Sequence, residues 1–270
     1  MSWAPYVGVS VASFAAFTAA ADWICRRRFG HFRIGGADRP RARHDRRLLL
    51  ALFVLNSAQV GMAIYAVKEL DRRGLTQLEH RPIAGVGGVA RLLLELLLIL
   101  LILDTNFYWM HRLMHAHKSL FVKLHRIHHT VRFPTAWTLS YQHPLDYLVT
   151  TVAPMCWVSL LPLHVSVTAY AVAMVIANFI NIVGHSGYEV GDTFLGAASF
   201  NGWATYVDPA RTGLARWVTN VLHHDLHHQT CERNFALYFT FWDRWCDTFR
   251  AETDRVEPYL TRSWNAWKRR

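Results

Sequence analysis

The sequence predicts an all-α fold: a polytopic integral membrane helical bundle of about four spans, with a hairpin counted among or beside them, and a histidine-rich helical cap. Three observations predict it. Hydrophobic residues make up 52% of the 270 residues and charged residues only 18%, below the roughly 25% typical of soluble domains. The apolar residues form runs long enough to cross a hydrocarbon core about 30 Å thick. Ten of the 16 histidines fall within residues 111–129 and 223–228.

The first apolar run covers residues 3–25 and is interrupted only by Asp22 near its end. A cleaved signal peptide is the competing interpretation, because Ala19–Ala21 resemble a cleavage region. No Lys or Arg precedes the run, although a signal peptide carries basic residues at that position. The run therefore predicts an uncleaved membrane helix.

Residues 26–47 follow with nine arginines and two aspartates. Such a segment either touches anionic lipid or is a positive-inside loop that fixes the topology, and the second interpretation is favoured. Two more apolar runs come next, at residues 48–67 and 92–110. A cytoplasmic loop at 26–47 sends the second run outward and brings the third back, so that the chain from His111 onward is predicted to be cytoplasmic.

Residues 147–183 predict a membrane hairpin whose two halves, Tyr147–Leu161 and Val165–Val183, are separated by Pro162 and Leu163. The first half is short for a span and contains Pro154, so it either crosses fully or only dips into the membrane. In both cases the two ends of the hairpin return to one face. Every histidine cluster is then predicted to lie on the cytoplasmic side.

The spacing of the histidines indicates a metal site. His111 and His115 stand four residues apart, which places them on one face of a helix. His125, His128 and His129 have the spacing i, i+3, i+4, and the same spacing recurs at His224, His227 and His228. No cluster can saturate a metal alone, but three clusters could surround one or two ions. A set rich in imidazole and poor in carboxylate suits zinc, copper, iron or nickel.

For the other polar residues of this region, a structural role has to be weighed against a role at the metal site. By spacing alone His143 and His185 are structural more often than ligating, and His117 and His223 point away from the ligand stripes. The remaining histidines lie in loops and are taken as structural: His31, His44, His80 and His164. Asp104 either accepts an imidazole N–H from a metal ligand or pairs with Arg112 or a tyrosine.

Composition also excludes several classes of protein. The net charge of +10 comes from basic residues in the loops between apolar runs, and no nucleic-acid-binding signature accompanies them. We therefore expect no nucleic-acid partner. The four cysteines contain no CxxC pair, so neither a disulfide framework nor a thiolate zinc site is supported.

Four stretches together resemble the fatty acid hydroxylase / sterol desaturase superfamily of membrane histidine-box enzymes. They are DTNFYWMHRLMH, KLHRIHHTVRFPTAWTLSYQHPLDY, NIVGHSGYEV and LHHDLHHQTCERNFALYFTFWDRWCDTF, which cover residues 104–249. We therefore expect three regions: N-terminal transmembrane helices with the Arg-rich loop (1–110), which the apolar runs predict, a catalytic domain including the hairpin (104–249), which the resemblance implies, and a basic tail (250–270). Three elements depart from the family pattern: Cys246 and Asp247 in its closing motif, Asn234-Phe235-Ala236, and His143-Pro144-Leu145-Asp146.

The resemblance implies metal ligands at His111, His115, His125, His128, His129, His224, His227 and His228, with His143 and His185 as additional family histidines. It implies two iron ions, which zinc can replace during isolation, and O2 as co-substrate for hydroxylation or desaturation of a lipid such as a fatty acyl chain or sterol. Since the sequence carries no cytochrome b5, flavin or NAD fingerprint, electrons are expected from a separate donor of cytochrome b5 or ferredoxin type with its reductase.

Two other classes are compared with this expectation. A divalent-metal transporter would place its ligands near the membrane midplane, and a zinc hydrolase needs only three protein ligands and a water. The location of the enzyme is expected to be a bacterial inner membrane, with the endoplasmic reticulum as the alternative.

Overall fold

The computed structural model describes residues 2–30, 33–35, 39–189 and 217–250, and these residues contain helices and loops but no β-strand. In chain order the α-helices are α1 (Ala4–Arg28), α2 (Arg46–Arg72), α3 (Gly85–Ala116), α4 (Lys118–Leu120), α5 (Arg126–His129), α6 (Pro144–Tyr147), α7 (Ala153–Val158), α8 (Val167–Gly184), α9 (Val221–Thr230) and α10 (Phe241–Trp245). Four of them (α1, α2, α3 and α8) are long and apolar enough to cross a membrane. The predicted all-α membrane bundle is confirmed, whereas the cytoplasmic placement of its cap stays a prediction. His31 and the tail beyond residue 250 lie outside the described residues.

Polar side chains determine where several helices begin. The Asp45 carboxylate accepts hydrogen bonds from the backbone N–H groups of Arg47 and Leu48 and starts α2. Ser166 starts α8 and Asn220 starts α9, each by accepting a hydrogen bond from a backbone N–H three residues later. These contacts satisfy N–H groups that have no partner within the helix.

The two ends of the bundle differ in chemistry. At one end, here called the distal end, the Lys68 ammonium donates to the Tyr6 hydroxyl over 2.7 Å, so the start of α1 lies beside the end of α2. The loop after α2 contacts the hairpin turn there, because the backbone N–H groups of Gln77 and Glu79 donate to the carbonyls of Ser159 and Val165. The opposite end, here called the histidine end, carries the ends of α3 and α8.

The first half of the hairpin runs from the histidine end to the distal end. It consists of α6, a π-helical turn (Leu148–Val152) and α7. Ser159, which follows α7, contacts the distal loop, so the segment traverses the bundle and does not merely dip into it. Pro154 is the second residue of α7 and directly follows the π-helical turn, a local widening of the helix at which the backbone hydrogen-bond ladder is already altered.

Small residues allow the spans to approach closely. Ile99 and Leu103 of α3 pack in one apolar cluster with Ala169, Ala173 and Ala177 of α8. A stripe of alanines is typical of interfaces between membrane helices, where dispersion contacts replace the hydrophobic effect. Gly61 of α2 serves the same purpose against α1.

We expect Gly61→Ala to lower the thermal midpoint of the detergent-purified protein. A methyl group at Gly61 would lie 2.7 Å from the carbonyl oxygen of Tyr6 and 2.8 Å from Cα of Val7, and overpacking of this kind costs about 1–3 kcal/mol. Gly8→Ala is the matched control, because no atom lies within 4 Å of the methyl position there. Its midpoint should stay unchanged or rise, since alanine favours helix over glycine. Equal midpoints for the two variants would contradict close α1–α2 packing.

Candidate metal centre

Four segments bring histidines together at the histidine end. The last turns of α3 carry His111 and His115, and residue 185 directly follows α8. His125 ends a π-helical turn (Phe121–His125) that leads into α5, and α9 carries its cluster within ten residues. Nine histidines thereby converge from segments up to about a hundred residues apart in sequence.

The nine histidines form two groups in which the ligand nitrogens lie within 4.8 Å of one another. Group A has five members: His111, His115, His125, His129 and His227. Group B has four members: His128, His185, His224 and His228. All are buried except His115, which is half-buried. The helical stripes are therefore split, because α5 and α9 each give ligands to both groups.

Backbone carbonyls hold the outer nitrogen of four rings. The Nδ1 atoms contact carbonyl oxygens at 2.8 Å (His111 to Phe235), 2.7 Å (His227 to Arg233), 2.8 Å (His185 to Asn181) and 3.1 Å (His228 to Val131). A carbonyl oxygen can only accept, so each of these Nδ1 atoms carries the proton and each Nε2 of a neutral ring presents a lone pair. The four rings are thus fixed in the tautomer that binds a metal through Nε2.

The distances between the inner nitrogens (Nε2) of neighbouring rings show whether a metal ion fits between them. Nε2 of His111 lies 3.0 Å from Nε2 of His125, and Nδ1 of His125 lies 2.7 Å from the Asp146 carboxylate. With both outer nitrogens donating, two lone pairs face each other, which is repulsive unless a cation lies between them. Neighbouring Nε2 atoms in the two groups are 2.9–3.4 Å apart. Two nitrogens bound about 2.1 Å from one ion would lie about 3.0–3.4 Å apart for bond angles between right and tetrahedral.

The protonation state of the histidine rings also suits metal binding. Burial lowers the pKa of His185 to about 4. Burial and the neighbouring imidazoles hold the pKa of six further histidines well below its ordinary value: His125, His128, His129, His224, His227 and His228. These rings are neutral at pH 7, which is the state that coordinates metal ions.

Asp146 is a candidate functional residue that the sequence pattern alone did not indicate. It follows His143 in the HPLD element and starts the hairpin, and it is 1% exposed. One of its oxygens contacts Nδ1 of His125, whereas the other is buried without a hydrogen-bond partner. A carboxylate behind a metal-ligating imidazole fixes the ring and increases its basicity.

Asp104 does not have either of its predicted partners. Its carboxylate contacts no histidine and no Arg112; instead Oδ1 accepts hydrogen bonds from the backbone N–H groups of Leu237 and Tyr238, over 3.1 and 2.8 Å. The reason is tertiary, because the segment after α9 folds back against α3 and presents backbone donors to this carboxylate. Asp104 therefore acts on the site through the chain that also holds His111.

Asp243 of α10 is buried as well and holds the same segment after α9 that Asp104 contacts. It accepts hydrogen bonds from the backbone N–H groups of Phe235 and Ala236, each over 2.9 Å, and lies 3.0 Å from Nε2 of His223. Burial raises the pKa of Asp243, but these hydrogen bonds outweigh burial and hold the pKa below its ordinary value. The carboxylate is thus ionised at neutral pH, and His223 supports it.

Helix α9 is fixed from its other side by a buried ion pair. Asp225 lies between the histidines of α9 and pairs with the Arg39 guanidinium, and both side chains are at most 5% exposed. Arg39 also donates to the carbonyls of Ile34 and Pro134. One arginine thereby joins the loop after α1, the loop after α5 and α9.

His143 is the predicted ligand that the structure does not bring to either group. Its Nδ1 accepts a hydrogen bond from the backbone N–H of Leu145 over 3.2 Å, so it starts helix α6. His185, which has the same status in the sequence, lies in group B. His117 is exposed, and His223 contacts Asp243, in agreement with their position off the ligand stripes.

Comparison with known proteins agrees with the geometry. A sequence model of the fatty acid hydroxylase family matches residues 96–248. The chain is 30% identical over 157 residues to methylsterol monooxygenase 1 of Rattus norvegicus, covering 57% of this chain and 47% of that protein. It is 29% identical over 163 residues to cholesterol 25-hydroxylase of Rattus norvegicus (60% and 49%), and 26% identical over 182 residues to lathosterol oxidase of Homo sapiens (67% and 53%). The chain thus spans about half the length of these relatives. No solved structure gave a significant match.

Proposed function

The chain belongs to the fatty acid hydroxylase family, and from this premise we propose that it is a membrane-bound, di-iron, O2-dependent oxidoreductase that hydroxylates or desaturates a C–H bond of a lipid. One observation carries the proposal: two adjacent, buried, all-nitrogen groups at one end of a membrane helix bundle. Group A would hold one iron and group B the other. When bound, the iron pair would supply the activation of O2, with two external electrons, that removal of hydrogen from an unactivated C–H bond requires.

The residues of the chain prepare this site in three ways. Carbonyls and the Asp146 carboxylate keep a proton on the outer nitrogens, so that lone pairs point inward. Burial excludes bulk water from the two groups. A small cavity on their bundle side is lined by histidines of both groups and by Thr150 and Asn181. Its volume of about 10 Å³ is room for about one water-sized molecule.

The substrate and partners follow from the surroundings. The groups lie at one end of four helices that are long and apolar enough to cross a membrane, which would put them at the edge of the bilayer, where a lipid can reach them without entering water. The relatives are named for sterols, which makes a sterol or another elongated lipid the first class to test. The electron donor would be a cytochrome b5 or a ferredoxin with its reductase, docking on the cytoplasmic face of a bacterial inner membrane or of the endoplasmic reticulum.

The two alternative functions, metal transport and zinc-dependent hydrolysis, would require a different arrangement of metal ligands. A transporter for divalent metals would place its ligands at the midplane, whereas here they lie at the ends of α3 and α8. A zinc hydrolase would use three protein ligands and one open position, whereas nine histidines converge here.

Metal analysis tests the proposal. We expect about two irons per chain in protein purified anaerobically from iron-replete cells, and fewer in His128→Ala, because His128 is a group B residue that is 5% exposed. Stoichiometric zinc after aerobic purification should be replaced by ferrous iron on anaerobic reconstitution. The absence of tightly bound metal under both conditions would overturn the oxidoreductase proposal and favour transport.

A further inference from the structure

Cys231 directly follows α9 and lies against two histidines of group A. Its Sγ is 3.2 Å from Nδ1 of His129, and its backbone carbonyl lies within hydrogen-bonding reach of the His115 imidazole. The residue ends α9 in the left-handed conformation, with a φ of 61°, which is costly for any residue with a Cβ. Its backbone N–H donates to the His227 carbonyl over 2.7 Å and holds this conformation. The thiol is thus fixed beside His129.

The outer partner of His129 differs in kind from the partners of its neighbours. Three other rings of group A have an outer nitrogen that contacts a carbonyl or carboxylate oxygen: His111, His125 and His227. Such oxygens accept hydrogen bonds, so the proton of these rings stays on Nδ1. A thiol can donate through S–H or accept through its sulfur. The tautomer of His129 is therefore not fixed by its outer partner.

The inner nitrogen of His129 lies between two lone pairs. Its Nε2 is 3.0 Å from Nε2 of His125 and 3.1 Å from Nε2 of His227. A proton on Nε2 of His129 would donate to one of these lone pairs and relieve their repulsion, whereas a metal ion needs the same nitrogen without its proton. The proton of this ring therefore belongs on Nε2 in metal-free protein and on Nδ1 in metal-bound protein.

The Cys231 thiol has a partner in each of these two states. In metal-free protein its S–H points at the bare Nδ1 of His129. In metal-bound protein Nδ1–H donates to the sulfur, and S–H turns toward the backbone carbonyl of His228, whose oxygen lies 3.9 Å from Sγ. Nε2 then loses a proton to solvent and Nδ1 takes one up from solvent. The ring carries one proton throughout, and the thiol keeps its hydrogen.

We propose that His129 and Cys231 are the adjustable pair of group A: the ring changes tautomer when a metal ion binds, and the thiol is the positioning group that pairs with both tautomers. The proposal rests on the function proposed above and goes beyond it by giving a role to a residue outside the nine histidines. A serine hydroxyl also donates and accepts, whereas the alanine methyl group does neither, so two substitutions separate the pairing from simple packing.

Zinc affinity of the full-length, detergent-purified chain, measured by competition with a chelator, tests the positioning role. We expect wild-type protein to bind two zinc ions. Cys231→Ala should bind one of them about 10- to 100-fold more weakly, as for other residues that orient metal ligands, because the Nδ1 proton of His129 then lacks an acceptor. Cys231→Ser should restore the affinity, and both variants keep a Cβ in the same left-handed conformation.

Cys156→Ala is the matched control for loss of a thiol. Cys156 lies in α7, is half-buried like Cys231, and packs against the apolar cluster of the bundle. Its substitution should leave the affinity for both zinc ions unchanged. Equal zinc affinities in Cys231→Ala and Cys156→Ala, or a failure of Cys231→Ser to restore binding, would overturn the positioning role of the thiol.

The S–H stretching band of Cys231 in the infrared spectrum tests the change of tautomer. The band is identified by its loss in Cys231→Ser. A hydrogen bond from S–H to a ring nitrogen lowers the stretching frequency, so zinc should shift the Cys231 band to higher frequency as that bond is lost. The Cys156 band should not move. A Cys231 band that stays in place when zinc binds would overturn the tautomer change.

Together these measurements separate the pair from the proposed function. Two tightly bound metal ions with full affinity in Cys231→Ala would contradict the role of the pair alone. The expected affinities and band shift, in a protein that oxidises no lipid with a reductase supplied, would contradict the proposed function alone. A wild-type chain that binds no metal would contradict both.

Discussion

Replacing His185 with alanine is expected, on the proposed di-iron assignment, to remove one of two irons and to lower turnover of any lipid substrate by at least about a hundredfold, the upper range seen when even a residue that supports a ligand is lost. His185 is 2% exposed, and its Nε2 lies 2.9 Å from Nε2 of His224 and 3.4 Å from Nε2 of His128. Its Nδ1 donates to the Asn181 carbonyl, which leaves the inner lone pair free. Iron content by metal analysis and turnover with a supplied reductase are the measurements.

The control is His143→Ala, because sequence resemblance gives His143 and His185 the same status and the structure separates them. His143 starts α6 through the N–H of Leu145, so its loss should cost about 1 kcal/mol of helix stability and leave both irons in place. If His143→Ala lost an iron and His185→Ala kept two, the assignment of the two groups would be wrong.

The sequence predicts the helices of this protein because hydrophobicity and length suffice for a membrane span. The ends of those helices are less predictable. The third apolar run ends at residue 110, but α3 continues to Ala116, since His111 is buried and His115 is half-buried against other histidines. Burial that depends on distant residues leaves no signal in the local hydropathy.

The histidine stripes were predictable for a similar reason, because the spacing i, i+4 puts two rings on one face of a helix whatever surrounds it. The division of each stripe between two groups was not. His128 and His129 are adjacent in sequence, yet the first belongs to group B and the second to group A. The π-helical turn before α5 and the contact of α5 with α9 determine this division, and neither follows from the spacing.

The buried carboxylates show most clearly that tertiary partners cannot be predicted from the local sequence. Asp104 stands out in the sequence because a charge within an apolar run is costly, and it is indeed buried, but its partners are the backbone N–H groups of Leu237 and Tyr238. Those donors lie more than 130 residues away. Asp146 and Asp243 lie outside the long apolar runs of the sequence, where a carboxylate carries no comparable cost, and both hold a histidine or the chain that supports one.

Asp243 belongs to a hydrogen-bond network that reaches the candidate metal centre. Its two oxygens receive the N–H groups of Phe235 and Ala236, and the Thr248 hydroxyl donates to it over 2.8 Å. The carbonyl of Phe235 in turn accepts the Nδ1 proton of His111. Displacement of the chain around Phe235 would therefore move the carbonyl oxygen that accepts the Nδ1 proton of His111 in group A.

We therefore expect Asp243→Asn to lower both stability and iron affinity. An amide can accept through one atom only, so at least one buried backbone N–H loses its partner, at about 1–3 kcal/mol for each such group. The loss of the charge opposite His223 adds to this cost. Iron affinity, measured by competition with a chelator, should fall about 10- to 100-fold, as for other residues that orient metal ligands.

Asp247→Asn is the matched control for this variant. Asp247 is exposed and has a backbone φ of 53°, a conformation that asparagine also tolerates, so neither the thermal midpoint nor iron affinity should change. If Asp243→Asn does not fold, Thr248→Val removes one hydrogen bond from the same carboxylate and should give a smaller shift in the same direction. Wild-type iron affinity in a folded Asp243→Asn protein would show that the chain around Phe235 does not need this anchor to orient His111.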